Sequence, residues 1–239
     1  MKAIILNSGI GSRLRPFTDK NPKCFVKING KSLLHRQIEI LLQYGITDII
    51  ITLGPFEDKI KKFIKGNFSG INVTYVKNPD YKKTNYIYSL WLARKLIDDD
   101  IILMHGDMLF DSRLLGKLLK SGHDNSVLVN DILKLPEKDF KAKIMNNTVR
   151  EIGVNVFGKD VYSLAPIYKF SKDGFKMWMK EIDNLVKKRD TNVYAENAFN
   201  NISGKLMLRP MYYQKELCME IDDMDDLRLA RRIWRKVKG

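Results

Sequence analysis

The first half of the chain alternates short apolar runs with amphipathic segments, and this alternation constrains the fold more than any other feature. Helical periodicity is clearest in SLLHRQIEILLQYG, where Ser32 can cap the first turn and Gly45 can end the last. A βαβαβαβ order requires crossover connections, so it predicts a largely parallel sheet with helices on both faces. Four apolar runs have the length of buried strands: KAIIL (2–6), DIIITLG (48–54), NVTYV (72–76) and IILMHGD (101–107).

The second half follows a different pattern, which predicts antiparallel strands added to the same sheet. KAKIMNNTVREIG has alternating apolar positions around Asn146 and Asn147, a hairpin signal. We also expect strands at VYSLAPIYKF, KLMLRP and LCMEI, and a closing helix at DMDDLRLARRIWRKVK. No repeat or linker interrupts the pattern. The sequence therefore predicts a single α/β domain over 1–239.

Composition indicates the size of the core, the cellular compartment and the class of binding partner. A chain of 239 residues with 44% hydrophobic content suits one full core, and no apolar run approaches the length of a membrane span. Cys24 and Cys218 are far apart without CxxC spacing, and no secretory signal follows Met1, so we expect a reduced, cytoplasmic protein. The net charge of +14 favours anionic partners without choosing among nucleotides, phosphorylated substrates, nucleic acid and acidic membranes.

A glycine-rich loop, LNSGIGSRLRPFTDKNPK (6–23), follows the first strand. A dinucleotide fold needs a third glycine where Leu14 stands, and an acidic residue after the second strand, where the sequence reads TLGPF. The glycine-lysine pair of a P-loop is also absent. The remaining interpretation is a loop that wraps a triphosphate, with Arg13 and Lys23 supplying positive charge.

The same stretch resembles the signature of the nucleotidyltransferase superfamily, with Asn7 and Ser8 in place of the usual two alanines. TNYIYSLWLA resembles the phosphocholine cytidylyltransferase branch, HGDMLFD the metal-aspartate strand end, and MEIDDMDDLRLA the closing E-I-D-x-x-x-D-L. The resemblance implies a Rossmann-like three-layer sandwich with a mainly parallel, mixed central sheet, as in nucleotide-diphospho-sugar transferases. It implies a nucleotide-binding half at 1–130 and an acceptor-binding half with the closing helix at 131–239.

The implied reaction joins CTP to a small phosphate or phosphonate of the phosphocholine, phosphoglutamine or 2-aminoethylphosphonate type and releases pyrophosphate. The CDP-activated product is expected to serve cell-surface polysaccharide (capsule) or lipid modification. A sugar-1-phosphate nucleotidyltransferase is the alternative. A glycosyltransferase is less favoured, because the second aspartate of a D-x-D motif is missing after Asp107.

The resemblance assigns roles to particular residues. Arg13 and Lys23 are the expected catalytic cations, and Asp107 and Asp222 are expected to hold Mg²⁺, although a helix cap is a rival role for Asp222. A phosphate oxygen is already anionic at neutral pH, so no general base is required. The expected nucleotide-binding residues are Leu6, Asn7, Ser8, Gly9, Gly11, Ser12, Arg13, Lys23, Gly54, Thr84, Asn85 and Ser89.

The acceptor side is less constrained. Choline would need an aromatic cage, for which Tyr194 is one candidate, whereas a carboxylate would need cations such as Lys141 and Lys143. Glu196 resembles an acidic position near the metal or substrate, with a surface helical glutamate as the rival. The basic tail RLARRIWRKVKG reads as a solvated helix face. We expect no nucleic-acid partner and no membrane insertion, and a homodimer is left open.

Overall fold

Four parallel strands from the first half of the chain form one side of the central sheet. In the computed structural model, the backbone is described for residues 1–238 and the side chains for residues 1–235. Strand β1 (Lys2–Asn7) lies between β4 (Asp48–Leu53) and β6 (Ile101–His105), and the fourth parallel strand is β5 (Asn72–Lys77). Ile4 of β1 is opposite Ile50 on one side and Leu103 on the other. β5 extends the sheet beyond β4. The predicted crossover order is confirmed.

The remaining sheet strands are mostly antiparallel and come from the second half. The main path is β10-β9-β11-β6-β1-β4-β5. On a side branch β8 pairs with β11 and β12 pairs with β8, so the described residues form a nine-stranded sheet. The strands are β1 (Lys2–Asn7), β2 (Lys27–Ile28), β3 (Lys31–Ser32), β4 (Asp48–Leu53), β5 (Asn72–Lys77), β6 (Ile101–His105), β7 (Met108–Phe110), β8 (Ser126–Asn130), β9 (Lys141–Met145), β10 (Thr148–Gly153), β11 (Val161–Phe170), β12 (Arg209–Tyr213) and β13 (Cys218–Glu220).

Helices cover both faces of the sheet. Alternate residues of the central strands point to opposite faces, and the apolar side chains on each face are buried beneath the helices. Ile4 and Leu6 belong to one buried cluster and Ala3 and Ile5 to another. This burial on both faces explains why the strands read as continuous apolar runs. The helices are α1 (Phe17–Lys20), α2 (Leu33–Gln43), α3 (Glu57–Asn67), α4 (Tyr86–Ala93), α5 (Ser112–Leu119), α6 (Lys172–Lys187), α7 (Ala195–Ile202) and α8 (Met224–Lys238).

This architecture confirms the predicted α/β fold with a mixed central sheet. The predicted hairpin is also confirmed, with φ of 50° at Asn146 and 52° at Asn147. The strand expected at KLMLRP begins only at Arg209, because the Lys205 and Leu206 amides still donate to the Ile202 carbonyl and close the end of α7. None of the described helices has the length and apolar character needed to cross a membrane.

A two-stranded ribbon outside the main sheet ties the end of the chain to its middle. β13 pairs antiparallel with β7, with Glu220 opposite Met108. Helix α8 then packs Leu227 and Ala230 into a small cluster that contains Leu14 of the glycine loop. The closing helix therefore packs against the glycine loop at Leu14.

Close backbone contact at Gly54 gives a stability test. A Cβ at Gly54 would lie 2.2 Å from the Ser8 carbonyl oxygen, whereas a Cβ at Gly66, exposed in α3, would meet nothing within 4 Å. We expect Gly54→Ala to lower the free energy of unfolding by about 2 kcal/mol, because backbone must shift. Gly66→Ala should raise it by about 0.5 kcal/mol. Urea denaturation measures both changes, and equal effects of the two substitutions would contradict the contact.

Candidate functional site

The parallel strands end at a crevice on the carboxyl edge of the sheet. A cavity of about 320 Å³ opens there, bounded by the glycine loop, the β5–α4 loop and the segment before α7. This is the place where open α/β sheets bind ligands. Its lining residues are Leu6, Ser8, Gly9, Asn78, Tyr81, Thr84, Asn85, Tyr86, His105, Asp107 and Asn192.

The glycine loop holds its shape through a few backbone constraints. Gly11 has φ of +69°, and a Cβ there would lie 3.0 Å from the Lys23 Cβ, so this position favours glycine. The Thr18 hydroxyl donates to the Gly11 carbonyl over 2.8 Å. A 3₁₀ turn at Ser12–Leu14 then buries Leu14 and leaves Arg13 exposed. Gly9 is exposed, with open space where a side chain would stand.

Two cations of this loop meet two aspartates from distant parts of the chain. The Lys23 Nζ donates to Asp107 Oδ2 over 2.6 Å and also to Asp222 Oδ1. The Arg13 guanidinium donates to Asp222 Oδ2 over 2.7 Å. The four residues predicted as catalytic or metal-binding therefore form one ion cluster at the mouth of the cavity.

The β7–β13 ribbon explains why the aspartates meet. Asp107 directly precedes β7, and Asp222 follows β13 by two residues. The Ile221 amide donates to the Asp107 carbonyl over 3.1 Å, which fixes the register at this end. Glu220 is the last residue of β13 and lies two residues before Asp222.

Burial and charge act against each other in this cluster. Burial alone would lower the pKa of the Lys23 ammonium, but the Asp107 and Asp222 carboxylates outweigh it and raise that pKa above its usual value. Burial opposes the ionisation of Asp107, yet Lys23 holds the pKa of that carboxyl below its usual range. Burial, with the charges of Asp107 and Asp222, raises the pKa of Glu220 well above normal.

A group of three side chains, two of which line the cavity, fits a divalent cation. Ligand atoms of His105, Asp107 and Glu220 all lie within 4.8 Å of one another. Within the described part of the chain, His105 Nε2 and Asp107 Oδ1 are buried without a hydrogen-bond partner. Two carboxylates suit a hard cation such as Mg²⁺ or Mn²⁺, and the adjoining Asp222 can supply a further oxygen.

The β5–α4 loop and the glycine loop form the polar wall of the cavity. Leu6, Gly9, Thr84 and Asn85 line it, as the nucleotide-binding prediction requires. Asn85 also caps α4, since its Oδ1 accepts from the Tyr86 amide over 2.7 Å. Capping α4 and lining the cavity are therefore compatible roles for Asn85.

Other residues predicted to bind nucleotide lie behind this wall. Ser89 is fully buried, and its hydroxyl lies 2.6 Å from that of Ser8. Gly54 is buried against the Ser8 backbone. The Asn7 amide donates to Thr52 Oγ1 over 3.0 Å, and its side-chain Nδ2 is buried without a partner among the described residues. These residues shape the cavity wall from within the protein.

An aromatic wall begins at Tyr86, which lines the cavity, and continues beyond it through Tyr194 and Phe140. The Tyr86 ring lies 4.7 Å from that of His105 and 6.0 Å from that of Tyr194, and Phe140 lies 5.0 Å from Tyr194, measured between centroids. Tyr194 is 39% exposed and accessible to a ligand. Trp178, another aromatic residue of the second half of the chain, is buried in the core.

Three of the predicted acceptor-binding residues are placed differently. Glu196 is buried and accepts hydrogen bonds from the hydroxyls of Tyr86 and Tyr168, so it holds Tyr86 from behind. Lys141 is buried, and its Nζ donates to the Pro136 and Asp139 carbonyls. Lys143 is exposed on β9. The structure brings neither lysine to the cavity.

Comparison with known proteins identifies the family. The sequence model of the nucleotidyl transferase family matches residues 2–138. The chain belongs to this family. The expected superfamily is thus confirmed.

Several curated relatives of this nucleotidyl transferase are cytidylyltransferases or make CMP-linked products. Choline-phosphate cytidylyltransferase of Streptococcus pneumoniae is 36% identical over 51% of this chain and 51% of its own. CTP:phosphoglutamine cytidylyltransferase of Campylobacter jejuni is 26% identical over 93% of both. CMP-5'-(3-aminopropyl)phosphonate synthase of Streptomyces rubellomurinus is 28% identical over 56% of this chain and 21% of its own. The chain thus spans about half the length of one of these relatives and 21% of another.

The fold agrees with solved structures. CTP:phosphocholine cytidylyltransferase from Streptococcus pneumoniae superposes with a TM-score of 0.79 at 23% identity, covering 98% of both chains. At this identity the likeness supports the fold alone. The branch of the family expected from the sequence is the one to which the curated relatives belong.

Some residues of this nucleotidyl transferase site were not predicted. A sequence pattern could have indicated Glu220, because in an extended Glu-Ile-Asp segment the two carboxylates would lie on one side. Asn78 and Asn192 had no such pattern, since each reaches the cavity through loop geometry that a single sequence does not encode locally.

Removal of the central cation gives a test of the ion cluster. We expect Lys23→Met to destabilise the metal-free nucleotidyl transferase by about 2 kcal/mol, since the Asp107 and Asp222 carboxylates lose their partner. A divalent cation can replace that charge, so added MgCl₂ should raise the Tm of this variant more than that of the wild type. Thermal unfolding with EDTA and with MgCl₂ measures both effects. Lys62→Met, at an exposed position of α3, is the control, and equal Mg²⁺ responses of all three proteins would contradict the site.

Proposed function

We propose that this protein is a cytidylyltransferase that transfers CMP from CTP to a small phosphorylated or phosphonate acceptor and releases pyrophosphate. The observation that carries the proposal is the meeting of Arg13 and Lys23 with Asp107 and Asp222 at the cavity mouth. Cations and carboxylates together can hold a triphosphate and its divalent cation. The cytidylyltransferases among the relatives support CTP as the donor.

The chemistry needs alignment and charge neutralisation more than proton transfer. An acceptor oxygen attacks the α-phosphorus, a new P–O bond forms, and the bond to the β-phosphate oxygen breaks. The acceptor oxygen is anionic at neutral pH, so no residue has to remove a proton. In this proposal Arg13 and Lys23 bind the phosphate oxygens and stabilise the leaving pyrophosphate.

Mg²⁺ is the cation that we propose for the carboxylate group. Asp107 and Asp222 would hold it, with Glu220 and His105 adjoining, and when bound it would neutralise phosphate charge and polarise the α-phosphorus. For Lys23 to act on the triphosphate, its hydrogen bonds to these carboxylates must be exchanged for phosphate oxygens. The residue therefore has partners both in the free protein and with substrate.

The aromatic wall favours an acceptor with an amine or quaternary ammonium end. Tyr86, Phe140 and Tyr194 offer ring faces, which attract cations. Among the described residues, no lysine or arginine lines this cavity, so a carboxylate on the acceptor would find no cationic side chain to bind there. We therefore place phosphocholine and aminoalkylphosphonates ahead of phosphoglutamine. The CDP-linked product would activate such a group for transfer to cell-surface polysaccharide or lipid.

A substrate panel tests the function directly. Pyrophosphate release is measured with each of the four NTPs against phosphocholine, 2-aminoethylphosphonate, phosphoglutamine and glucose 1-phosphate. We expect turnover with CTP and an amine-bearing acceptor. Turnover only with the hexose phosphate would overturn the proposal.

The role of Asp107 has a matched control in another strand. Asp107→Asn should lower kcat by about a hundredfold or more, because a cation ligand is lost while the side-chain shape is kept. Asp48→Asn, at the opposite edge of the sheet, removes the same charge from β4 and should leave kcat unchanged. Circular dichroism checks that both variants fold. Wild-type rates in Asp107→Asn would refute the metal role.

The acceptor wall has a control of equal exposure. Tyr194→Leu should raise KM for the amine-bearing acceptor about tenfold and leave KM for CTP unchanged, since only the acceptor contacts this ring. Tyr212 is also 39% exposed but lies on β12 beside Tyr162, so Tyr212→Leu should change neither constant. Steady-state kinetics with each substrate varied in turn makes the comparison. A rise in KM for CTP instead would place the nucleotide on this wall.

A further inference from the structure

A buried chain of hydrogen bonds runs behind the polar wall of the cavity. The Asn78 Nδ2 donates to Ser89 Oγ over 2.9 Å and to Thr84 Oγ1 over 3.1 Å. The Ser89 hydroxyl in turn lies 2.6 Å from that of Ser8, at the cavity wall. Asn78, Ser89 and Ser8 are 1%, 0% and 5% exposed, so water does not compete for these bonds.

The orientation of the Asn78 amide is fixed by its neighbours. Its Oδ1 accepts from the Asp80 amide over 2.9 Å, and a backbone N–H can only donate. The other end of the amide must therefore be the NH₂ group. Thr84 is consistent with this, because its hydroxyl donates to the Asp80 carbonyl over 2.9 Å and is free to accept from Asn78.

This orientation gives the chain a direction. Ser89 Oγ accepts from Asn78, so its own hydrogen is directed to Ser8 Oγ, its other partner within the described residues. Ser8 Oγ then accepts from Ser89 and keeps its hydrogen for a further acceptor. The cavity that Ser8 lines is where that acceptor can lie.

We propose that Ser8 presents this hydroxyl as a hydrogen-bond donor to the base of the nucleotide and thereby favours cytosine over uracil. The inference rests on the proposed function, because it assumes a CTP-binding cavity. Cytosine N3 is an acceptor, whereas uracil carries a hydrogen at N3, so a fixed donor matches the first and opposes the second. Ser8 is a specificity-determining residue here, and Ser89 and Asn78 are positioning residues.

The location of Ser8 agrees with this assignment. Arg13, Lys23 and Asp107 mark the phosphate end of the cavity, and the aromatic rings mark a second wall. The remaining wall, formed by Ser8, Thr84 and Asn85, carries hydroxyl and amide groups suited to the edge of a base. Ser8 also stands where the signature of the superfamily has alanine, so the hydroxyl is an addition rather than a requirement of the fold.

Equilibrium binding of CTP and UTP in the presence of Mg²⁺, measured by calorimetry, tests the proposal. Ser8→Ala should weaken CTP binding about tenfold and UTP binding much less, since one buried hydrogen bond to the base is lost. Ser126→Ala is the control, because Ser126 is a fully buried serine of β8 whose hydroxyl has no partner among the described residues. It should leave both affinities unchanged. An unchanged CTP-to-UTP ratio in Ser8→Ala would overturn the proposal.

A second variant distinguishes an effect of hydrogen-bond direction from an effect of side-chain packing. Asn78→Asp replaces the NH₂ donor with an acceptor, so Ser89 would donate to it and Ser8 would donate to Ser89. Ser8 would then offer only lone pairs to the cavity, and UTP should gain relative to CTP. A loss of both affinities in equal proportion would indicate packing alone and count against the proposal. Wild-type protein that does not prefer CTP would instead refute the proposed function, which keeps the two failures distinct.

Discussion

The ion cluster around Lys23 is the interaction on which the rest of the site depends. One ammonium group, mostly buried, lies between the Asp107 and Asp222 carboxylates, and Arg13 adds a second cation to Asp222. Isolated charges at the depth of Lys23 and Asp107 would be costly, so these two residues stabilise each other in the ionised form. The cluster therefore holds the glycine loop, the end of β6 and the end of β13 together at one point.

The same arrangement serves both stability and chemistry. In the proposed reaction, the triphosphate would supply negative charge to Arg13 and Lys23. The divalent cation would supply positive charge to Asp107 and Asp222, so no buried charge would be left unpaired when ligand binds. The Gly11 conformation and the burial of Leu14 keep the loop in place while its cations change partners. The walls of the cavity are separate structures, one built on hydroxyl and amide groups and the other on aromatic rings. Under the proposed function, donor and acceptor would thus be selected independently.

Much of the fold could be predicted because its information is local. The apolar runs, the capping by Ser32 and the paired asparagines of the β9–β10 turn each reflect the preference of a few adjacent residues. The glycine loop and its cations were also readable, since a continuous segment carries them. The end of α7 was not, because whether Lys205 continues a helix or begins a strand depends on which carbonyl its amide can reach.

The sequence by itself determined the alternating α/β architecture, the glycine loop and the family, because these follow from residue type and spacing along the chain. Only the tertiary structure decided that Glu220 joins Asp107, that Lys141 is committed to backbone carbonyls, and that Ser89 acts behind Ser8. The physical reason is that these roles depend on contacts between residues far apart in sequence. Burial then decides whether a polar group faces a ligand or another part of the protein.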